Sequence, residues 1–514
     1  MISDPRIVDH RFDTPQLESR NHTVNTTTTQ TLELKQLING QWDSATGAEA
    51  QSFNPADPGE VVARYATATT QTLEAAIAAG RAALAGWDRV GILGRGRVLR
   101  RAAQLLEERG EDIAVLMTRE QGKTLADSRG EVGATVETLY YQAGSARRAD
   151  GVTYPSGNAD ELVRTIRRPV GVVGVITPWN FPLQIPAWKI APALLWGNTV
   201  VWKPASDTPA VALAFAEILV EAGVPAGVLN LVLGPGSLGS SLVEHEGIAA
   251  VTFTGSVPVG HQIRERVVLR GAKLQMELGG HNAAIVMPDA DVASAAAAIV
   301  AAAMSSTGQK CTATRRIIAV GDVHDRLVEA LVPLVNALVA GPGTEATSDM
   351  GPVVSDRARS DIEAALSQAQ AEGATVLAQG SKSDAPGHYV LPTLLAGTDA
   401  LTITHEEVFG PIVTLMRVAD LDEAITLANA TDFGLTASVF TRDEHAIRRC
   451  LNEVVAGLIK VNAPSTGSEV HAPFGGLRDS SFPAPREQNS DVVADFFTET
   501  KTAYVRVAPQ GRVS

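Results

Sequence analysis

Three spans in the first third of the chain carry apolar residues at helical spacing with charged residues between them: Leu73 to Trp87, Val98 to Leu116 and Leu125 to Ala143. Such faces predict helices that clothe a sheet. From Val170 the texture changes. Val172 to Ile176, Thr199 to Trp202, Val228 to Leu233 and Ala249 to Phe253 are apolar runs of strand length, and Val211 to Ala222 among them has helical spacing. This alternation predicts a parallel sheet with helical crossovers. A second alternating block follows, with strands at Ala283 to Val286, Arg316 to Val320 and Gly457 to Val461, and helices at Val292 to Met304 and Val323 to Ala340. Glu161 to Arg168 and Lys501 to Val507 alternate polar with apolar residues and read as exposed strands, whose unpaired edges invite association.

A chain of 514 residues is too long for one compact core. At about 100–200 residues per domain it predicts roughly three units. Hydrophobic residues at 45% and charged ones at 19% fit a soluble enzyme, and a net charge of −14 argues against a nucleic-acid surface. The two cysteines, Cys311 and Cys450, cannot build a disulfide framework; a free reactive thiol calls for a reducing compartment, which leads to the cytoplasm as the expected location. Residues 1–30, with acidic residues and His near the start, the patch Thr26-Thr27-Thr28-Thr29 and no apolar run, read as a tail and not as a secretory signal. The most apolar helical stretch, Val292 to Met304, falls short of the roughly 20 residues a bilayer span needs, so no membrane segment is expected.

Cys450, within Ile447-Arg448-Arg449-Cys450-Leu451 on an expected helix, reads as a buried structural thiol. Cys311 stands differently, among small and polar residues in Gly308-Gln309-Lys310-Cys311-Thr312. Upstream lie Met276-Glu277-Leu278-Gly279-Gly280 and Thr177-Pro178-Trp179-Asn180-Phe181-Pro182. A thiol, a carboxylate and a carboxamide thus each sit in a Gly- or Pro-punctuated turn, and the thiol is a candidate nucleophile. Together these motifs, in this order and across about Leu37 to Val505, resemble the NAD(P)-dependent aldehyde dehydrogenase superfamily. The resemblance implies an α/β fold with two doubly wound domains, a variant Rossmann cofactor domain (31–144 and 169–273) and a catalytic domain (274–487). Residues 145–168 and 488–514 would supply oligomerisation strands and a C-terminal tail, and so a homodimer or homotetramer.

Two glycine loops compete for the cofactor phosphates. Gly234-Pro235-Gly236-Ser237-Leu238-Gly239 matches G-x-G-x-x-G after an expected strand, yet no acidic residue holds a convincing ribose position beyond it. Phe253-Thr254-Gly255-Ser256 ends a strand and opens a helix, offering free N–H groups and the positive end of the helix dipole. Ser256 could also do no more than cap that helix. The resemblance gives this loop, with Gly255, Ser256 and Gly260, to the cofactor and places Gly236 near the adenosine. It likewise implies that Ile176, Thr177, Pro178, Trp179 and Leu278 line the cofactor surface, that Lys203 binds the adenosine ribose, that Glu407 holds the nicotinamide ribose and that Phe409 packs near the ring. Ser206 stands where many NAD-preferring relatives have a glutamate that repels a 2′-phosphate, so NADP or NAD is expected, with NADP slightly favoured. No metal is expected.

The resemblance makes Cys311 the nucleophile, Glu277 the general base, and Asn180 with the Cys311 N–H the oxyanion donors. It implies release of the acid by hydrolysis, because relatives that pass the acyl group to coenzyme A generally lack the glutamate. Lys189 and Glu487 match a proton-relay pair. Phe181, Gln184, Trp188, Lys310 and Thr312 are implied to line the substrate pocket. Trp188 takes the position of an arginine found in many succinic semialdehyde dehydrogenases and cannot replace its fork-shaped grip on a carboxylate, although Arg315 or Arg478 could bring a cation from elsewhere. The segments 308–314 and 462–476 most resemble the branch that oxidises 2,5-dioxopentanoate, in sugar-acid catabolism. Leu477 to Pro483 and Asn489, where a glycine is usual, depart from it. An aromatic or general aliphatic aldehyde dehydrogenase, with Trp188 and Phe181 lining an apolar funnel, is the rival enzyme; a catalytically retired binding or structural member is the rival of another class.

Overall fold

The computed structural model describes residues 30–148, 151–483 and 489–506. Apolar runs of strand length, flanked by helices with one apolar face, build two sheets. The first has eight strands in the order Ser481–Phe482, Lys273–Glu277, Ala250–Thr254, Val172–Ile176, Thr199–Lys203, Leu229–Leu231, Gln36–Ile38 and Gln41–Asp43. Its five inner strands, from Lys273–Glu277 to Leu229–Leu231, are parallel. Their side chains are almost wholly buried, as continuous Val-rich strands covered on both faces must be. The sheet runs past the boundary expected at residue 273, since Lys273–Glu277 pairs in register with Ala250–Thr254.

The second sheet has seven strands: Thr375–Gln379, Thr393–Ala396, Ile412–Val418, Thr314–Val320, Asn282–Val286, Thr436–Phe440 and Leu458–Val461. All are parallel except the edge strand Thr375–Gln379. The Ala-rich helix Val292–Met304 packs on it through Ala295, Ala296, Ile299 and Ala303. Small side chains there let helix and sheet approach closely. A third sheet joins the two alternating segments: Glu161–Pro169 pairs antiparallel with Thr498–Arg506 and with Thr153–Tyr154. The C-terminal end of the expected strand, Val507, lies outside the described residues.

Two expected helices are corrected. Val98 to Leu116 is two helices, Gly91–Glu108 and Gly110–Gln121, broken at Arg109. Gly110 comes so close to the helix Leu125–Ser145 that a Cβ on it would lie 3.0 Å from Val132 Cγ1, a tertiary contact that overrides the local periodicity. Val323 to Ala340 is helical only over Val323–Asn336. Val339–Ala340 instead pairs with Ser381–Lys382, and Asn336 Oδ1 accepts from Gln379 N (3.1 Å).

A buried ion pair ties the helical layer to the loop that follows Val172–Ile176. Lys123 and Glu131 are both fully buried, with Nζ 2.6 Å from Oε2. Lys123 Nζ also donates to Asn180 O (2.7 Å) and lies over the Phe181 ring (4.1 Å), while Glu131 Oε1 accepts from Leu183 N (2.9 Å) and Gln184 N (3.0 Å). Removing one partner of such a pair strands a buried charge, at a cost of about 3–5 kcal/mol. Lys123→Met is therefore expected to lower the urea midpoint sharply, whereas Arg129→Met, which breaks an exposed bridge to Glu111, leaves it within error. Equal effects of the two would contradict this account of the loop.

Candidate active site

Glu277 ends a strand of the first sheet and Asn282 begins a strand of the second, so Leu278-Gly279-Gly280-His281 forms the passage between them. Cys311 meets that passage from the loop between Val292–Met304 and Thr314–Val320. The chain reaches the cysteine through Ser306, Thr307 and Gly308, all with positive φ (50°, 58° and 66°). Backbone of that kind costs a non-glycine residue on the order of 1–3 kcal/mol and persists only where the surroundings over-determine it. Here Ser306 N donates to Asp127 Oδ2 (3.1 Å), Thr307 Oγ1 donates to Gly351 O (2.9 Å), and a Cβ on Gly308 would lie 2.2 Å from Gly410 O. On the far side of the loop, Asn282 Nδ2 donates to Cys311 O (2.7 Å) and Ala313 O (2.8 Å), and Ser465 Oγ donates to Thr312 O (2.7 Å).

The half-buried Cys311 thiol is pushed up to about 12, first by desolvation and then by the carboxylates of Glu277 and Glu407. It therefore rests as the thiol and needs a base. Glu277, 3% exposed, accepts at Oε1 from Ser481 Oγ (2.6 Å). Lys189, fully buried on the helix Gln184–Leu195, is brought down to about 7 by desolvation, with Glu277 acting in opposition. Its Nζ donates to Thr252 Oγ1 (2.9 Å), which in turn donates to Gln275 Oε1 (2.9 Å). Glu487 lies outside the described residues. Asn180 Nδ2 donates to Gln309 O (3.0 Å), two residues before the cysteine, and its Oδ1 accepts from Phe181 N (3.1 Å).

A cavity of about 610 Å³ gathers Cys311 and Asn180 with Pro178, Trp179, Gly255, Ser256, Leu278, Glu407 and Phe409. Phe253-Thr254-Gly255-Ser256 does end the strand Ala250–Thr254 and open the helix Val257–Leu269. Ser256 takes the N-cap position but its hydroxyl makes no capping bond, so it does not satisfy the helix's first N–H groups. Glu407 is raised to about 7 by desolvation, against Arg315 and a bond from Gly280 N (3.1 Å) to Oε1. The rings of Trp179 and Phe409 meet edge to face with centroids 5.7 Å apart. Uncapped helix N–H groups suit a phosphate, a carboxylate suits ribose hydroxyls and apolar rings suit a flat heterocycle, so this donor set fits a nicotinamide dinucleotide.

The remaining expected cofactor residues lie outside that lining. Ile176 and Lys203 are register partners on adjacent strands, and a Cβ on Gly239 would touch both side chains (3.6 and 3.4 Å). Gly236, with open space around it, starts the helix Gly236–Glu244. Lys203 is brought down to about 8 by desolvation, with Asp207 opposing. Ser206 Oγ donates to Gly234 O (3.1 Å), Thr177 Oγ1 accepts from Trp202 Nε1 (2.9 Å), and Gly260 packs on Leu278, where a Cβ would lie 2.7 Å from Cδ2. The two glycine loops thus occupy separate places, Gly255 beside Cys311 and Gly236 towards Lys203.

None of the expected substrate-pocket residues Phe181, Gln184, Trp188, Lys310 and Thr312 is in the lining of that cavity. Lys310 Nζ donates to Ser305 Oγ (2.8 Å) and sits 6.0 Å from the centre of the Phe181 ring; desolvation lowers it. Trp188 packs on Phe474 (5.1 Å), and its buried Nε1 has no hydrogen-bond partner among the described residues. Gln184 is half-buried and Thr312 buried nearby in the chain. Arg315 directs its guanidinium to Gly410 O (2.6 Å) and Gly308 O (2.5 Å), and Arg478 bonds to the carbonyls of Asn429 and Thr431. Both are bound to backbone. The residues that brace the site but escaped the sequence reading are Lys123, Glu131, Asn282, Thr252, Gln275 and Ser481. Only Thr252, a polar residue inside the apolar run Ala250-Val251-Thr252-Phe253, left a local signal.

The aldehyde dehydrogenase family pattern matches residues 42–503. An α-ketoglutaric semialdehyde dehydrogenase of Bacillus subtilis (strain 168) is 42% identical over 477 residues, covering 91% of this chain and 97% of that protein. A 2,5-dioxopentanoate dehydrogenase of Saccharolobus solfataricus is 40% identical, with 90% and 98% covered. Among solved structures, betaine aldehyde dehydrogenase from Staphylococcus aureus in complex with NAD+ superposes with a TM-score of 0.88 at 32% identity, covering 93% of this chain and 96% of that one. With the site geometry, these likenesses establish that the chain belongs to the aldehyde dehydrogenase family and that its reaction is NAD(P)-dependent oxidation of an aldehyde.

Proposed function

We propose that the enzyme oxidises 2,5-dioxopentanoate to 2-oxoglutarate through a thioester on Cys311. The observation that carries the chemistry is the single cavity in which Cys311 and Asn180 meet the candidate nicotinamide surface. Because the resting thiol is held at about 12, its proton leaves as the sulfur adds to the aldehyde carbon, passing to water or through water to Glu277, which hands it to solvent before hydrolysis. Asn180 Nδ2 carries two protons, of which one is bound to Gln309 O, and the other stabilises the new oxyanion together with the Cys311 N–H. Bound NAD(P), held by Gly255, Ser256, Leu278, Glu407 and Phe409, with Pro178 and Trp179 beside them and Ile176, Thr177, Lys203, Ser206, Gly236 and Gly260 towards the adenosine, supplies the hydride acceptor. Water that has given a proton to Glu277 then adds to the thioester carbon, the C–S bond breaks and the acid leaves. Lys189, with Glu487, carries that proton away.

The substrate reading rests on relatives that bear this activity in their names. A second reading takes the Trp188–Phe474 pair as an aromatic wall, which suits benzaldehyde or an aliphatic aldehyde. For the coenzyme, Ser206 places a neutral hydroxyl where a carboxylate would repel a 2′-phosphate, so both coenzymes serve and NADP is slightly favoured. The antiparallel sheet of Glu161–Pro169 and Thr498–Arg506, with Tyr154, Leu162 and Tyr504 exposed on it, suits a homodimer or homotetramer. A free thiol nucleophile suits the cytoplasm.

Three outcomes are expected. The kcat/KM for 2,5-dioxopentanoate with NADP exceeds those for succinic semialdehyde, benzaldehyde and propanal by at least about tenfold, a margin of ~1.4 kcal/mol in transition-state binding; a preference for benzaldehyde would replace the keto-acid reading with the aromatic one. Asn180→Ala loses on the order of 10²–10³ in kcat, the usual effect of deleting an oxyanion donor, and a loss under threefold would remove Asn180 from that role. Iodoacetamide labelling of Cys311 in the cofactor-free enzyme keeps accelerating with pH beyond 8.5, because a thiol pushed up to about 12 becomes thiolate only far above the usual range. Levelling near pH 8.5 would show that burial and the two carboxylates do not hold the proton on.

A further inference from the structure

The segment Leu477 to Pro483 returns from the second sheet to the first and adds the strand Ser481–Phe482 beside Lys273–Glu277. The pairing is antiparallel, with Glu277 opposite Ser481 and Met276 opposite Phe482. The backbone around it is pinned: Leu278 N donates to Ser480 O (2.9 Å), Leu477 N to Gly434 O (2.9 Å) and Gly434 N to Ser480 Oγ (3.0 Å). Glu277 and Ser481 are each 3% exposed. The Ser481 hydroxyl stands 2.6 Å from Glu277 Oε1 and 2.9 Å from Met276 O.

We propose that Ser481 is a positioning residue for Glu277, fixing the plane of its carboxylate and supporting both of its protonation states during hydrolysis of the acyl-enzyme. A serine hydroxyl has one proton and two lone pairs, so it can donate to only one of its two neighbours at a time. When Glu277 is a carboxylate, the proton goes to Oε1, and 2.6 Å is the length of a charge-assisted O–H···O⁻ bond. When Glu277 has taken the proton of the attacking water, the hydroxyl turns to donate to Met276 O and accepts the new O–H of the carboxylic acid. Water's oxygen forms the new bond to the thioester carbon, the C–S bond breaks, and the proton passes from Glu277 to the sulfur or to the relay. The carboxylate keeps a partner at each stage without moving from its place.

The inference rests on the reading of Glu277 as the base, and the test separates the two. Rapid-quench kinetics with propanal follows reduced nicotinamide and propanoate independently in wild type, Ser481→Ala, Ser481→Thr and Glu277→Gln. For Ser481→Ala the first-turnover formation of reduced nicotinamide stays within about threefold of wild type. Propanoate release slows on the order of tenfold to a hundredfold, the effect of losing a hydrogen bond to a charged group. The acid limb of its pH profile moves to higher pH, because the lost bond favoured the charged carboxylate, and Ser481→Thr restores both. If Glu277→Gln keeps steady turnover, the base assignment itself fails. If Glu277→Gln collapses propanoate release while Ser481→Ala keeps wild-type release and pH profile, the role of Ser481 is overturned. Should Ser481→Ala not fold, Ser481→Cys, of similar shape and with a weak donor, is read the same way: slowed release supports the role and wild-type release overturns it.

Discussion

The site depends on how closely the passage from the first sheet to the second approaches the cysteine loop. A Cβ on Gly279 would lie 2.1 Å from Glu407 Oε2, and one on Gly280 would lie 2.5 Å from Cys311 O. Real Cβ atoms do not come so near, so only glycine lets the backbone pass between a carboxylate from one side and the nucleophile's own carbonyl from the other. Glu277 just before the glycines acts on the Cys311 thiol through its charge, and Asn282 just after them is bonded to the Cys311 carbonyl. The left-handed run Ser306-Thr307-Gly308 is the matching constraint on the cysteine side.

Close packing at this junction also sets the electrostatics. Desolvation is the largest influence on every shifted group around Cys311: the thiol and Glu407 are raised to about 12 and about 7, and Lys189 is lowered to about 7. Each group is thus pushed towards its neutral form. A lysine brought down to about 7 holds or releases its proton with little driving force either way near neutral pH. Lys123 and Glu131 lie 2.6 Å from each other and each makes further hydrogen bonds to the Asn180 loop. The rigidity of that pair holds the carboxamide in place.

Much of this was legible in the chain itself. Val292 to Met304 was read as a helix with the bounds it has, since its apolar character is unbroken and Asp291 caps its start. The strand-to-helix turn at Gly255-Ser256 was also readable, because strand length and a following helical face are local properties. The break at Arg109 was not, since it arises from Gly110 against Val132, and neither was the end of Val323–Asn336, where strand pairing with Ser381–Lys382 prevails. Cys311, Glu277 and Asn180 could be singled out because their three motifs, taken together and in order, resemble those of the aldehyde dehydrogenases. Ser481 and the Lys123–Glu131 pair could not, since their partners lie far along the chain or on another element and a lone serine or lysine carries no mark of what it will face. The two glycine loops differ in chemistry, and their placement, Gly255 in the cavity with Cys311 and Gly239 against Lys203, is a three-dimensional fact.

The central claim is that the acyl group passes through Cys311. Its most direct test is acid quenching of Glu277→Gln enzyme during reaction with 2,5-dioxopentanoate and NADP, followed by peptide mass spectrometry of the segment that contains Cys311. The account predicts that the peptide gains the mass of the acyl group on Cys311, in an amount matching the reduced nicotinamide formed and absent from Cys311→Ser. Reduced nicotinamide formed without any acylated Cys311, or formed at the wild-type rate by Cys311→Ser, would contradict it.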